Sequence, residues 1–322
     1  MRVGSLELVT APPYDVISPQ EHDRYLAASP HNVIRLDLVE DRDGAGLSDR
    51  YARAAAELAA WRADRVLKPT DGPAYFPYEM RFLLRGRSRR IRGLVCAVEL
   101  QDWGGDIVPH ERTMPGPVRD RLELMRAIGS NLSCIYAVFV GAAEGLAPWL
   151  DAVTVGNPAA ELTDEDGVQH RMWTAPPEPG VVTWLSSASL MIADGHHRYA
   201  TALRYRDEMR VAHGPGPWDH AMMFLVDAAL EDPPVLPFHR IQLEGAAPVS
   251  GTRVRDLEEV LGSVDDRKLF YGIAAHEGGA LVHRVAELTG DPPAVCRLHE
   301  QVLVGMDETL RFTPDAVAAE EA

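Results

Sequence analysis

Residues 190–199 read Leu190-Met191-Ile192-Ala193-Asp194-Gly195-His196-His197-Arg198-Tyr199. Four apolar residues predict a buried strand, Gly195 permits a tight turn, and Ala200, Leu203 and Met209 continue at helical spacing. Polar side chains at such a strand-to-helix corner sit beside helix N–H groups that lack intrahelical acceptors, which makes an anion site. Arg198 can fork onto a phosphate oxygen, and His196 or His197 can donate to one or act as acid or base. Asp194, at the end of the strand, can hold Mg²⁺ directly or through water. The plainer alternative is a capped helix whose Asp and His side chains satisfy nearby backbone. Five polar functional groups in a row after a buried strand are hard to justify that way.

On either side of this corner the chain mixes helices and strands. The alternation Val33-Ile34-Arg35-Leu36-Asp37-Leu38 predicts a half-buried strand. Ser48 and Asp49 offer N-caps for a helix reaching about Val66, with Tyr51, Ala54, Ala55, Leu58 and Trp61 as its inward stripe. Tyr75–Tyr78, Met80–Leu84 and Leu94–Val98 read as strands, the last two joined by a basic hairpin turn at Arg85–Arg90. A helix is expected over Asp120–Ile128, a buried strand over Cys134–Val140 and another over Met222–Val226. The acidic, Pro- and Gly-rich stretch 157–181 predicts a solvent-exposed excursion. Residues 250–322 alternate weak helices and strands. With no regular βα alternation, the expected class is α+β, or mixed α/β. The expected division is a core at 1–245 that contains the corner and a smaller C-terminal α/β extension at 246–322.

Composition narrows the partners. The 322 residues carry 48 acidic and 32 basic side chains, a formal charge of −16. Such a surface repels a phosphate backbone, so nucleic acid is not an expected partner, whereas a pocket needs only two or three aimed cations to bind a phosphate. Three cysteines without a CxxC pair fit a reducing compartment and argue against a disulfide framework or a thiolate zinc site. No stretch reaches the roughly 18 apolar residues of a membrane span, and the N-terminus lacks a signal-like apolar core. The expected location is the cytoplasm, with a small-molecule substrate, no membrane partner, and homo-oligomerisation left open.

Further polar groups are candidates for the same site. His110 and Glu111 stand on a loop shaped by Pro109, Pro115, Gly116 and Pro117, and Glu111 has the chemistry of a base for a substrate hydroxyl. His239 and Arg240 follow a short apolar run, where Arg240 can clamp a carboxylate or phosphate. Near the N-terminus Tyr14, Asn32 and Arg35 are candidates to line a pocket, with Arg35 an alternative carboxylate clamp. Asp120-Arg121 and Asn131 with Ser133 either line that cleft or cap the helix between them. No GxxxxGK[ST], GxGxxG or GxSxG motif occurs, which excludes a P-loop and leaves a Rossmann cofactor site or a nucleophile elbow unsupported.

The blocks APPYDVI, PHNVIRL, VPHERT with DRLELM, DGHHRYATAL and LPFHR, in that order over about residues 10–242, resemble a broad bacterial and archaeal family known as a conserved domain of unknown function. LHEQVL and RFTPDAV look like a weaker continuation. A lysine- and proline-containing C-terminal segment of that family is not found, so the resemblance implies an altered or incomplete end. The DGHHR corner is also similar to the phosphate-binding corner of the ParB/sulfiredoxin-like fold, and looks most like that of the free serine kinases built on it. This second resemblance implies a nucleotide-binding core with additional strands and helices. It implies that Asp194, Gly195, His196, His197 and Arg198 form the phosphate-donor and metal corner, with Asp194 and His197 catalytic. The expected activity is a small-molecule phosphotransferase, a kinase of free L-serine or another hydroxy amino acid, using ATP, ADP or pyrophosphate with Mg²⁺. A nucleotide-binding or -hydrolysing regulatory protein and a phosphatase of small phosphoesters remain as alternatives.

Overall fold

Asn32 shows how local chemistry builds this structure. Its Oδ1 accepts the Ile34 N–H at 3.1 Å, while its Nδ2 donates to the main-chain oxygens of Leu8 and Thr10 at 3.0 and 2.9 Å. The first bond curls the chain, so Ile34–Asp37 forms a one-turn helix and not the expected strand. Ile34 and Leu36 are both buried, which in sequence imitates the alternation of a strand.

The computed structural model describes residues 5–39, 47–84, 86–110, 115–140, 145–234, 239–242, 250–264, 269–290, 297–298, 301–303, 310–313 and 316–321. The fold is α+β, in two compact units: 1–109 with 115–233, and 110–114 with 234–322. In the first unit the strands are β1 (Phe76–Leu84), β2 (Arg87–Glu99), β3 (Ile107–Val108), β4 (Ile135–Phe139), β5 (Ala160–Thr163), β6 (Gln169–Met172), β7 (Leu190–Asp194) and β8 (His220–Asp227). The helices are α1 (Pro19–Ala28), α2 (Ile34–Asp37), α3 (Leu47–Ala63), α4 (Pro115–Ile128), α5 (Leu146–Val153), α6 (Pro179–Leu185), α7 (His196–His213) and α8 (Ala228–Glu231).

The eight strands form one mixed sheet in the order β3-β7-β4-β8-β2-β1-β6-β5. Pairs β3–β7 and β4–β8 are parallel and the others antiparallel. Successive residues of β4 and β8 alternate between two cores. Ile135, Ala137, Phe139, Met223 and Leu225 pack with α5, α6 and α7, while Val138, Phe224 and Val226 lie in the cluster on the opposite face. Gly93 lets β2 lie against β8, because a Cβ there would sit 2.2 Å from the Leu225 oxygen. A third cluster joins α2, α3 and α4 through Leu36, Tyr51, Ala54, Leu58, Trp61, Leu124 and Ile128, and α4 packs along α7.

Several expectations are corrected here. Helix α3 starts at Leu47, so Ser48 and Asp49 lie within its first turn and not ahead of it. The two strands expected over 75–84 are one, since Pro77 pairs with Leu94 in β2 and offers its carbonyl to Trp173 N–H. Leu84 pairs with Arg87, so Arg87–Arg90 belong to β2 and not to the turn. The stretch 157–181 supplies β6 and the edge strand β5, the last two strands of the sheet, and the start of α6, with Trp173, Ala175 and Val181 buried. Edge strands are half exposed, so their polar text resembles a loop.

In the second unit, strands Thr252–Val254, Phe270–Glu277 and Ala280–Glu287 form an antiparallel sheet, and Gly278-Gly279 turns the hairpin with φ of 60° and 85°. His239–Gln242 pairs with Leu310–Thr313. Among the described residues no helix is long and apolar enough to cross a membrane.

Candidate functional site

The predicted strand–glycine–helix corner is present. Strand β7 ends at Asp194, Gly195 takes the left-handed conformation with φ of 90°, and α7 starts at His196. The 18-residue α7 carries Arg198 on its first turn and Thr201 one turn later, and both face a cleft beside α4. The cleft is open to solvent, with a cavity volume of about 40 Å³. From α4 come Arg121 and an apolar wall of Leu124, Met125 and Ile128; the segment after it adds Ser130, Asn131 and Ser133. Tyr14 and Asp37 complete the polar rim. All of these residues belong to the first unit.

Both arginines are held in place. Arg198 donates through Nη1 to Ser133 Oγ at 3.2 Å and to the Cys134 main-chain oxygen, and through Nη2 to Asp194 Oδ2. Its side chain is 15% exposed, and no described residue accepts from its Nε. Arg121 donates through Nε and Nη2 to Asp120 Oδ2 at 2.8 and 2.6 Å. Its Nη1 donates to the Asp37 main-chain oxygen and Oδ1 at 2.8 and 3.0 Å. Arg50 and Tyr51 of α3 also donate to Asp120, the latter at 2.8 Å. Two fixed guanidinium groups therefore meet at one cleft, each already paired with carboxylates: Arg198 with Asp194, and Arg121 with Asp120 and Asp37.

The Arg121 guanidinium carbon lies 4.1 Å from the centre of the Tyr14 ring. Burial pushes the Tyr14 phenol up to about 12, helped by the charge of Asp15 and opposed by Arg121 and Arg198. Burial likewise raises Asp37 above the usual carboxylate range, against the pull of the same two arginines. A desolvated carboxylate facing a cleft is a mark of function, and nothing in the sequence reading singled out Asp37. The available signal was its place in the PHNVIRL-DL segment three residues after Ile34, which the strand reading put on a solvent face.

Of the residues predicted from the corner, Arg198 alone lines the cleft among the described residues. Asp194 is 58% exposed and bonded to Arg198; His196 is buried at 6% exposure and His197 is half-buried. Tyr14, Arg121, Asn131 and Ser133 line it. Asn32 and Arg35 do not. Asn32 is fully buried on backbone groups, and Arg35 donates to the Leu26 and Ser29 carbonyls at 2.7 and 3.3 Å, capping the end of α1. His110 and His239 belong to the second unit, the side chain of Arg240 lies outside the described residues, and so does Glu111.

No group of three or more His, Cys, Asp or Glu able to hold a metal occurs among the described residues. Asp194 offers one carboxylate whose Oδ1 has no described partner. That donor set fits Mg²⁺, which keeps several waters and shares its remaining sites with substrate phosphates, better than a metal caged by protein. Residues 2–274 match the family described as "Protein of unknown function (DUF1015)". No curated protein and no solved structure matches the chain.

Proposed function

The chain belongs to the DUF1015 family of proteins of unknown function, and we propose that it is a cytoplasmic small-molecule phosphotransferase, a kinase of a free hydroxy amino acid such as L-serine, using ATP, ADP or pyrophosphate with Mg²⁺. The observation that carries this reading is the convergence of Arg121 and Arg198, from two packed helices, on one cleft rich in hydroxyl and amide groups. Phosphoryl transfer asks a protein for position and charge neutralisation more than for a nucleophile. Arg198 supplies both at the corner, because its guanidinium is oriented by Ser133, Cys134 and Asp194 before any ligand arrives. Asp194 is the residue that would hold Mg²⁺, which supplies charge to the donor phosphates. Gly195, His196 and His197 flank Arg198 at the start of α7, where helix N–H groups add to the positive field.

The test is direct. Purified protein with Mg²⁺ and L-serine is offered each donor, and phosphoserine is followed by phosphorus NMR. Product from at least one donor is expected. Absence of product from all three overturns the kinase reading. Phosphate release from phosphoserine without a donor would identify a phosphatase instead, and nucleotide-raised melting temperature without turnover would identify a binding module.

A further inference from the structure

One carboxylate stands in a cleft otherwise lined by guanidinium, hydroxyl, amide and apolar groups. Asp37 closes the one-turn helix α2. Arg121 Nη1 grips both its main-chain oxygen and its Oδ1, which fixes the direction of the carboxylate. Arg121 is itself held by Asp120 through Nε and Nη2. The Asp37 side chain is 16% exposed, and Oδ2 accepts no hydrogen bond from any described residue. One oxygen is thus anchored, and Asp37 is among the residues that line the cleft. Around it stand Tyr14 and Asp15 on the N-terminal segment, Arg121 on α4 and Arg198 on α7. His22 of α1 lies close by, with Nε2 2.8 Å from the Leu38 oxygen.

We propose that Asp37 is the proton acceptor of this cleft, an assignment that rests on the phosphotransferase reading above. The substrate hydroxyl oxygen forms the new bond to phosphorus, and its proton passes to Asp37 Oδ2. The bond from phosphorus to the donor's bridging oxygen breaks, and the electron pair leaves on that oxygen as ADP, AMP or phosphate. No oxidant or reductant is needed. Burial supports the role, since a carboxylate lifted from its ordinary value toward the working pH is a better base than one in water. Glycoside- or ester-type double-carboxylate chemistry is not called for, because the described cleft holds one carboxylate.

Proton uptake tests the assignment without turnover. Inorganic pyrophosphate is titrated into the protein by calorimetry at about pH 5, above the ordinary aspartate value near 3.9, in two buffers of different ionisation enthalpy. An anion placed beside Asp37 draws a proton onto it, so wild type is expected to take up more protons per pyrophosphate than Asp37→Asn, and Asp37→Glu to restore part of the difference. Equal uptake by wild type and Asp37→Asn at equal affinity overturns the proposal and leaves the phosphate-binding cleft standing. If wild type binds no pyrophosphate, the cleft reading falls and the assignment with it. Where wild type yields phosphoserine, Asp37→Asn should lose about 10²- to 10⁴-fold in turnover with donor affinity kept; undiminished turnover overturns the assignment. Should Asp37→Asn not fold, Asp37→Glu decides: its acid limb must shift, and an unmoved pH profile refutes the role.

Discussion

The Arg198 guanidinium lies across Gly195: a Cβ on that glycine would come within 2.9 Å of Nε and 3.0 Å of Cζ. The same glycine has φ of 90°, a conformation costly for any other residue. Fold and site thus make one demand at one position. Gly195→Ala is expected to lose about 1–2 kcal/mol from backbone strain, measured by urea unfolding. It should also push Arg198 aside, so that pyrophosphate raises the melting temperature less than in wild type. A variant as stable and as responsive as wild type would separate the corner from phosphate binding.

Asp37 makes a prediction about stability. Its folded value is raised, with burial the main cause, so the folded chain binds this proton more tightly than the unfolded one. Stability contributed by this group therefore falls as pH climbs from the ordinary aspartate value near 3.9 through the raised one, and is flat above it. Asp37→Asn removes that slope. Urea midpoints measured from acid to neutral pH should show the variant gaining on wild type as pH rises.

Asn32→Ala leaves two main-chain oxygens and one N–H without their partner in a fully buried place. A loss of about 3 kcal/mol is expected, again by urea unfolding. Asn32→Asp should fare no better, because it turns an oxygen toward the two oxygens that Nδ2 now serves.

Burial lifts the Cys96 thiol to about 12 and the Cys134 thiol to about 11, the second moderated by Arg198. Both are free cysteines. In a Cys296→Ser background, which removes the one thiol outside the described residues, Ellman's reagent at pH 8 should react slowly with the native protein and fast in urea. Cys134 should react before Cys96. Rapid native labelling of both would contradict the burial.

The legible parts of this chain are those written within a few residues of each other. Leu190–Ile192 announce a strand, Gly195 a backbone that only glycine adopts cheaply, and Ala200 and Leu203 a helix face; the structure has all three, although the strand is buried on one face only, with Met191 43% exposed. Tyr51, Ala54, Leu58 and Trp61 are likewise buried as their spacing implied. Where the reading erred, two local patterns coincided. Buried Ile34 and Leu36 mimic a strand although Asn32 Oδ1 has already bent the chain, and the polar strands β5 and β6 mimic a loop because they lie at the end of the sheet.

The sequence by itself determined the strand–glycine–helix corner, the mixed α+β class and the acidic charge, because each follows from periodicity, from backbone permission or from a sum over residues. Only the tertiary structure decided which charges meet. Arg121 reaches Asp37 across 84 residues, where α2, α3 and α4 share one apolar cluster, and Arg198 reaches Ser133 across 65, where α7 packs along α4. Such a meeting leaves no mark in a local pattern: a side chain's spacing sets the face it occupies, whereas its partner depends on how whole helices and strands bury their apolar faces against one another.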